Sequence, residues 1–588
     1  MKAKREIKFS LVYRDMWQAS GKYVPRKDQL EKIAPVLIEM GCFARVETNG
    51  GASEQVNLLF GENPNDAVRT FTKPFNEVGI QTHMLDRGLN GLRMNPVPAD
   101  VRELMYKVKK AQGVDITRIF CGLNDVRNII PSIHYAKAAG MIAQATMCIT
   151  FSEVHTAEYY INMSEELIQA GADEICLKDM AGIGRPVMLG QIVKAIKTAH
   201  PHIIIQYHGH SGPGFSMASM LEVANAGADY LDVAMEPLSW GMVHPDVISV
   251  QAMLKDAGFD VPEINMTAYM EARRLTQSFI DDFLGYFIDE RNKFMTSLLV
   301  GCGLPGGMMG SLMADLKGVH LNINSYLKAQ NKRELTTDEL LIMLFDEVKY
   351  IWPKLGYPPL VTPFSQYVKN IALMNVMFVV KGQARWTMID KNSWDMILGK
   401  AGKLPGALDD EIIELAKKNK YEFYEGNPQE NYPNELDRFI AEMKENGWDR
   451  GQDDEELFEF AMHEKQYRDL KSGEAKKRFE AELEAAIKEK YSKQNIEIPN
   501  IRLLKYPNAE PIISPATGKV IWELDYNEGS KEPVHGKLFR ESEPLCTLQT
   551  RYGLEQISSF CTGRIIGIEK KQGEIVSKGE IIAYIEQK

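Results

Sequence analysis

His208-Gly209-His210 sets two imidazoles at i and i+2, and on a β-strand those positions face the same side. Two histidines aimed together are a metal-ligand pair, and imidazole suits Zn, Mn or Co. The competing reading is two hydrogen-bonded histidines near a loop. Asp15 closes the first apolar run, Ile7–Arg14, where it can be a third ligand or a helix N-cap. Lys178 ends another apolar run, where its charge is unfavourable unless paired. Spacing alone favours a salt bridge to Asp179 or Glu47. The functional alternative is a lysine carrying CO2 as a carbamate, an anionic oxygen ligand. Arg87 offers a planar fork for a substrate carboxylate, or a salt bridge to Asp86.

Residues so far apart in sequence need a frame that gathers them. Eight short runs rich in Val, Ile, Leu and aromatics supply one: Ile7–Arg14, Cys42–Glu47, Ile80–Leu85, Ile116–Phe120, Ile142–Thr150, Glu174–Leu177, Ile203–Tyr207 and Tyr230–Met235. Each is separated from the next by enough chain for a crossover helix. That count predicts a (β/α)8 barrel, an α/β fold of roughly 250 residues whose active site sits at the C-terminal ends of the strands. Those ends read Asp15, Glu47, Arg87, Cys121, Thr150, Lys178–Asp179 and His208–His210, a polar list where packing residues belong. A doubly wound open sheet would need a Gly-rich phosphate loop after its first strand, and Tyr13-Arg14-Asp15-Met16 is none.

With 588 residues the chain exceeds one core, and four segments are expected. Residues 1–265 form the barrel. Residues 266–463 form a helical extension over its mouth, broken by Leu304-Pro305-Gly306-Gly307 and Gly356-Tyr357-Pro358-Pro359. Residues 464–513 are a charged helix and a Pro-containing linker. Residues 514–588, with short β runs punctuated by Gly563, Gly567, Gly573 and Gly579, form a small all-β domain. A net charge of -11 argues against nucleic acid as a partner. Seven scattered cysteines, none in a CxxC pair, fit a reducing compartment. No membrane span and no apolar signal segment after Met1 are visible, so a cytoplasmic protein, peripheral to a membrane complex at most, is expected.

Six stretches resemble the carboxyltransferase domains of biotin-dependent enzymes: pyruvate carboxylase, the oxaloacetate decarboxylase alpha subunit and the transcarboxylase central subunit. They are Tyr13-Arg14-Asp15-Met16-Trp17-Gln18, Met84-Leu85-Asp86-Arg87-Gly88, Leu177-Lys178-Asp179-Met180-Ala181-Gly182, His208-Gly209-His210, Pro305-Gly306-Gly307-Met308 and the run Gly356 to Pro363. The resemblance implies metal ligation by Asp15, His208, His210 and a carbamylated Lys178, with Zn, Mn or Co as the ion. It implies that Gln18 and Arg87 orient pyruvate; the expected catalytic set is Arg14, Gln18, Arg87 and Lys178, with Cys121 and Ser311 at positions that depart from the family. The implied reaction moves CO2 between carboxybiotin and pyruvate, oxaloacetate or a related 2-oxo acid. The metal, as Lewis acid, and Arg87 stabilise the enolate. A homodimer with other carboxylase or decarboxylase subunits as partners is the expected assembly.

Three positions depart from that family. Cys121 stands where an Asp is usual, and Gly310, followed by Ser311, stands where a proton-shuttling Thr is usual. Residues 514–588 resemble a biotinyl (lipoyl-like) carrier domain, yet Tyr552 takes the place of the biotinylated lysine. No lysine lies between Lys537 and Lys570, so biotin is expected on a separate carrier protein. Two rivals follow: a biotin-independent metal lyase or aldolase on the same barrel, and a catalytically reduced scaffold subunit of a carboxylase complex.

Overall fold

The computed structural model describes residues 5–302, 306–493, 509–522, 537–551 and 553–587, with backbone alone at 301–302, 306–314, 317 and 491–493. Two compact units emerge, Met1–Ala481 and Glu482–Lys588.

In the first unit eight parallel strands close in sequence order: β1 (Lys8–Leu11), β2 (Phe43–Gly50), β3 (Gln81–Asp86), β4 (Ile116–Phe120), β5 (Ile142–Cys148), β6 (Glu174–Asp179), β7 (Ile204–Gly209) and β8 (Tyr230–Val233). The seam pairs Phe9 of β1 with Leu231 of β8. Between β6 and β7 the register sets Lys178 opposite His208 and Asp179 opposite Gly209. Lys178 and His208 thus stand side by side at the C-terminal rim.

One expectation needs correction. Asp15 does not end a strand: β1 stops at Leu11, and Arg14, Asp15 and Gln18 lie on the helix Tyr13–Ser20. An acidic residue in the first turn suits the positive end of a helix dipole. The i, i+4 spacing then stacks Arg14 on Gln18, Nη1 donating to Oε1 at 2.6 Å.

The lumen is charged as well as apolar. Arg45 on β2 donates to Glu174 on β6 at 2.6 and 2.8 Å and to Gln206 on β7 at 2.7 Å. Higher up, Arg118 on β4 donates to Asp232 on β8 at 2.6 Å, with both side chains fully buried. Such charges persist inside a barrel because each meets its opposite.

Helices follow from residue 266, including Met266–Asp282, Gly306–Ala329, Thr337–Lys354, Phe364–Val380 and Glu455–Met462. Thr336 starts one of them with a capping box closed by Glu339. Their connections meet the barrel at its C-terminal end: Val361 packs with Leu85, Phe120 and Cys148, the tips of β3, β4 and β5. At Gly122 an added Cβ would come within 2.7 Å of the Phe364 ring, so only glycine lets this contact form. The charged run is helical, as Glu464–Ser472 and Glu474–Lys493.

The second unit holds two four-stranded antiparallel sheets, built from β9 (Ala509–Ile513), β10 (Gly518–Trp522), β11 (Leu538–Phe539), β12 (Pro544–Thr550), β13 (Gly553–Ser558), β14 (Gly563–Ile568), β15 (Ile575–Val576) and β16 (Ile581–Gln587). The orders are β13-β12-β10-β15 and β11-β14-β16-β9. Val520, Trp522, Leu545, Leu548, Ile565 and Ile585 are among the residues of their shared core. β9 precedes the expected start at 514 and pairs along β16.

Candidate active site

The structure brings Asp15, His208 and His210 together. Asp15 Oδ2 lies 3.1 Å from His210 Nε2 and 3.6 Å from His208 Nε2. The two Nε2 atoms are 3.2 Å apart. Each imidazole is held by its other nitrogen. His208 Nδ1 is 2.7 Å from Asp232 Oδ2, whose carboxylate is itself fixed by Arg118. His210 Nδ1 donates to the Met242 carbonyl at 2.7 Å. Both contacts place the proton on Nδ1 and leave the Nε2 lone pairs pointing at Asp15, the orientation a metal-binding histidine needs.

The electrostatics agree with that role. Burial and the charge of Lys178 push the His208 imidazole well below its ordinary range, so it stays neutral. Burial alone would raise the Asp15 carboxyl, but Arg14, His210 and His208 hold it well below the usual carboxylate range. Asp15 Oδ2 is buried with no hydrogen-bond donor among the described residues. A buried anionic oxygen facing two imidazole lone pairs is unfavourable alone and fits a divalent cation.

Lys178 borders this cluster, its Nζ 3.4 Å from His208 Nε2 and 5.8 Å from the centre of the Phe120 ring. It forms no ion pair among the described residues, neither with Asp179 nor with Glu47. Burial lowers its pKa against the opposing pull of Asp15.

A second group of polar side chains converges nearby. A Cβ placed on Gly51 would stand 3.6 Å from Arg14 Nη1, 3.6 Å from Gln18 Oε1 and 3.7 Å from Arg87 Nη2. Arg14 is neutralised by Glu47 at 2.5 Å and Asp15 at 3.0 Å. Arg87 has no ion pair among the described residues, and the expected bridge to Asp86 is not made. Asp86 instead accepts from Thr117, Tyr106 and the Gly88 amide. Among the described residues Arg87 Nη1 meets only the Leu92 and Arg93 carbonyls, at 3.4 and 3.3 Å, and its Nε has no acceptor. Burial and the facing Arg14 lower its pKa to about 10, so it is still cationic at neutral pH.

Cys121 follows β4 at the rim and accepts a hydrogen bond from Asn128 Nδ2 at 3.3 Å. Burial pushes its thiol up to about 11, so it is neutral and cannot replace a carboxylate. The Ser311 side chain and Tyr552 lie outside the described residues.

Sequence reasoning missed His244. It is fully buried against both site histidines, in the segment after β8, and its ligand atom lies within 4.8 Å of those of Asp15, His208 and His210. Asp232 and Arg118 were also missed. They stand mid-strand, where only a charged residue in an apolar run could have flagged them.

A closed parallel barrel with candidate metal ligands and a buried arginine pocket at its C-terminal mouth has the architecture of a TIM-barrel enzyme. The conserved carboxylase domain family matches residues 302–501, and the HMGL-like family matches residues 122–274. The methylmalonyl-CoA carboxyltransferase 5S subunit of Propionibacterium freudenreichii is 31% identical over 388 residues, 65% of this chain and 70% of that protein. A pyruvate carboxylase subunit of Methanocaldococcus jannaschii is 27% identical over 582 residues, 98% of this chain and 92% of that protein. The carboxyl transferase domain of Rhizobium etli pyruvate carboxylase shares the fold, with a TM-score of 0.69 at 19% identity over 95% of this chain and 88% of that one. The chain belongs to the biotin-dependent carboxyltransferases and is an enzyme of that type.

Proposed function

We propose that this enzyme transfers CO2 between carboxybiotin on a separate carrier and the methyl carbon of pyruvate or a close 2-oxo acid. One observation carries the reading most: Arg87, buried and with no ion pair among the described residues, faces Arg14 and Gln18 across the space at Gly51, beside the Asp15–His208–His210 cluster. A guanidinium with no carboxylate of its own is suited to that of a substrate. Asp15, His208 and His210 would hold a divalent ion, Zn, Mn or Co, which when bound polarises the 2-oxo group as a Lewis acid. Gln18, fixed by Arg14, presents its amide to the same space. Tyr552 in place of lysine supports a carrier on another chain. So does the likeness to the Methanocaldococcus protein, which is one subunit of a pyruvate carboxylase.

A biotin-independent metal lyase is the second reading, favoured by the HMGL-like match and by the neutral thiol at Cys121. Carboxyl transfer measured over a panel of 2-oxo acids, with and without a biotinylated carrier, separates the two. Transfer that needs the carrier and is lost in Arg87→Lys is expected. Cleavage of a 2-oxo acid aldol at full rate without biotin would overturn the carboxyltransferase reading.

A further inference from the structure

We infer that Asp86 is a positioning residue for substrate binding: from the outer face of the barrel wall, its carboxylate fixes the turn that aims Arg87. The inference rests on Arg87 as the anchor of a substrate carboxylate and names what holds that anchor. β3 ends by alternation. Leu85 faces inward, packed with Phe120, Cys148 and Val361, and Asp86 faces the helices outside. Asp86 is fully buried in that layer. Its Oδ1 accepts from the Gly88 amide at 2.8 Å. Its Oδ2 accepts from Thr117 Oγ1 on β4 at 2.6 Å and from Tyr106 Oη, on the helix Ala99–Ala111, at 3.1 Å. An amide and two hydroxyls, all able to donate, suit a carboxylate.

The turn after Asp86 carries Arg87 and also guides it. The Arg87 amide donates to the Gly91 carbonyl at 2.8 Å, and the Gly91 amide to the Gly88 carbonyl at 2.9 Å, so the turn closes on itself. Just beyond it, the Leu92 and Arg93 carbonyls accept from Arg87 Nη1 at 3.4 and 3.3 Å. Those bonds are long, so the backbone aims the guanidinium more than its own bonds do. That backbone is pressed against its neighbours. Gly88 has φ of 53°, and a Cβ there would come 2.9 Å from the Asn128 carbonyl and 3.1 Å from the Phe120 carbonyl. The Gly88 amide ties the turn to the Asp86 charge. A charge-assisted hydrogen bond is about twice as strong as a neutral one, so protonating Asp86 slackens the tie without breaking it.

For stability alone Asp86 is an unfavourable choice. Burial raises its pKa to about 6, against the pull of Thr117, the Gly88 amide, Arg102 and Tyr106. A carboxyl raised in the folded state opposes folding above its unfolded value, so at pH 7 Asp86 weakens the fold. Arg102 and Tyr106 face it from the helix Ala99–Ala111, with Tyr135 of the helix Val126–Ala138 beside both, and none of them forms an ion pair with it among the described residues. Arg87 follows it on the chain, and the Asp86 charge favours the cationic guanidinium against burial and the facing Arg14. A residue that weakens the fold while holding the binding group beside it is placed for function.

The affinity of the full chain for pyruvate, measured by isothermal titration calorimetry in excess zinc, tests the assignment. Asp86→Asn keeps the shape of the side chain and removes its charge. At pH 7.5 this variant is expected to bind pyruvate about tenfold more weakly than the wild type. It should melt no lower than the wild type and bind zinc equally well. The gap in pyruvate affinity should close by pH 5, where Asp86 of the wild type is protonated too. Asp179, raised by burial to about 6, titrates in the same range, and comparing the two proteins cancels it. In an Arg87→Lys background Asp86→Asn should add no further loss, because Asp86 acts through Arg87. Pyruvate binding in Asp86→Asn as tight as in the wild type overturns the inference. So does a gap that persists at pH 5, or an additive loss in the double variant. A lower Tm or weakened zinc binding in Asp86→Asn would make Asp86 a structural residue and overturn it as well. A wild type that binds pyruvate no better than Arg87→Lys does would instead remove the reading of Arg87 as the anchor.

Discussion

At the scale of single residues, one departure from a family pattern and one match to it acquire physical content. Cys121 is a neutral, buried thiol, with a pKa of about 11. At pH 8 only about one molecule in a thousand carries the thiolate that reacts with alkylators. Brief iodoacetamide treatment of the native enzyme at pH 8, followed by peptide mass mapping, should therefore leave Cys121 unmodified. Rapid labelling would show that the site is open or electropositive. Arg87 allows a sharper test. Lysine preserves the charge and loses the fork, so Arg87→Lys should lower kcat/KM on the true 2-oxo acid by about 10²-fold or more while circular dichroism is unchanged. Wild-type kinetics would refute its role as carboxylate anchor. The His-x-His pair was legible because a strand's period of two is a rigid rule. Its third histidine was not. His244 sits in an irregular segment after β8, where spacing says nothing about direction.

At the scale of elements, buried charges tie pieces of the fold together. Asp232 on β8 accepts from Arg118 on β4 and orients His208 on β7. Asp232→Ala strands a buried guanidinium, which should destabilise the protein by about 3–5 kcal/mol in urea unfolding. It should also weaken metal binding by about 10–100-fold, through loss of the imidazole's tether. A second junction docks the helix Glu455–Met462 on the barrel: Lys109 lies 2.6 Å from Glu54 and 3.6 Å from Glu459. One ammonium cannot neutralise two carboxylates. Burial and the charge of Glu54 raise the Glu459 pKa well above normal, against the pull of Lys109. A carboxyl raised in the folded state opposes folding increasingly as the pH rises above its unfolded value. Glu459→Gln should therefore raise Tm at pH 7 and give no gain near pH 4. A gain that persists at pH 4 would contradict the assignment. Strand positions in the barrel were readable from apolar runs, but the first run, Ile7–Arg14, continues three residues past the strand's end at Leu11. Tyr13 is apolar enough to extend a strand, and only the helical stacking of Arg14 on Gln18 shows where the strand stops.

At the scale of the whole molecule, the chain joins a barrel unit to a two-sheet β unit whose biotinyl resemblance lacks an acceptor amine. β12 and β13 pair Thr550 with Gly553, and only residues 551 and 552, neither of them lysine, connect those two positions. Full-length protein co-expressed with an active biotin ligase should show no added biotin by intact mass. One biotin mapped to any lysine of this unit would refute the need for a separate carrier. The β module was legible from its glycines, but β9 was not. Its Pro511 and its short length read as linker, and only the ladder to β16 makes it a strand. The barrel's seam carries a further consequence. Asp15 follows β1 and His244 follows β8, so the candidate ligands sit on both sides of the junction where the first and last strands meet. An ion bound between them acts as a clasp on a ring, and removing it loosens the joint before the arc. Hydrogen–deuterium exchange should then accelerate at Ser10, Leu11 and Val233 on chelation, while the amides of β4 and β5, on the far side of the ring, keep their protection.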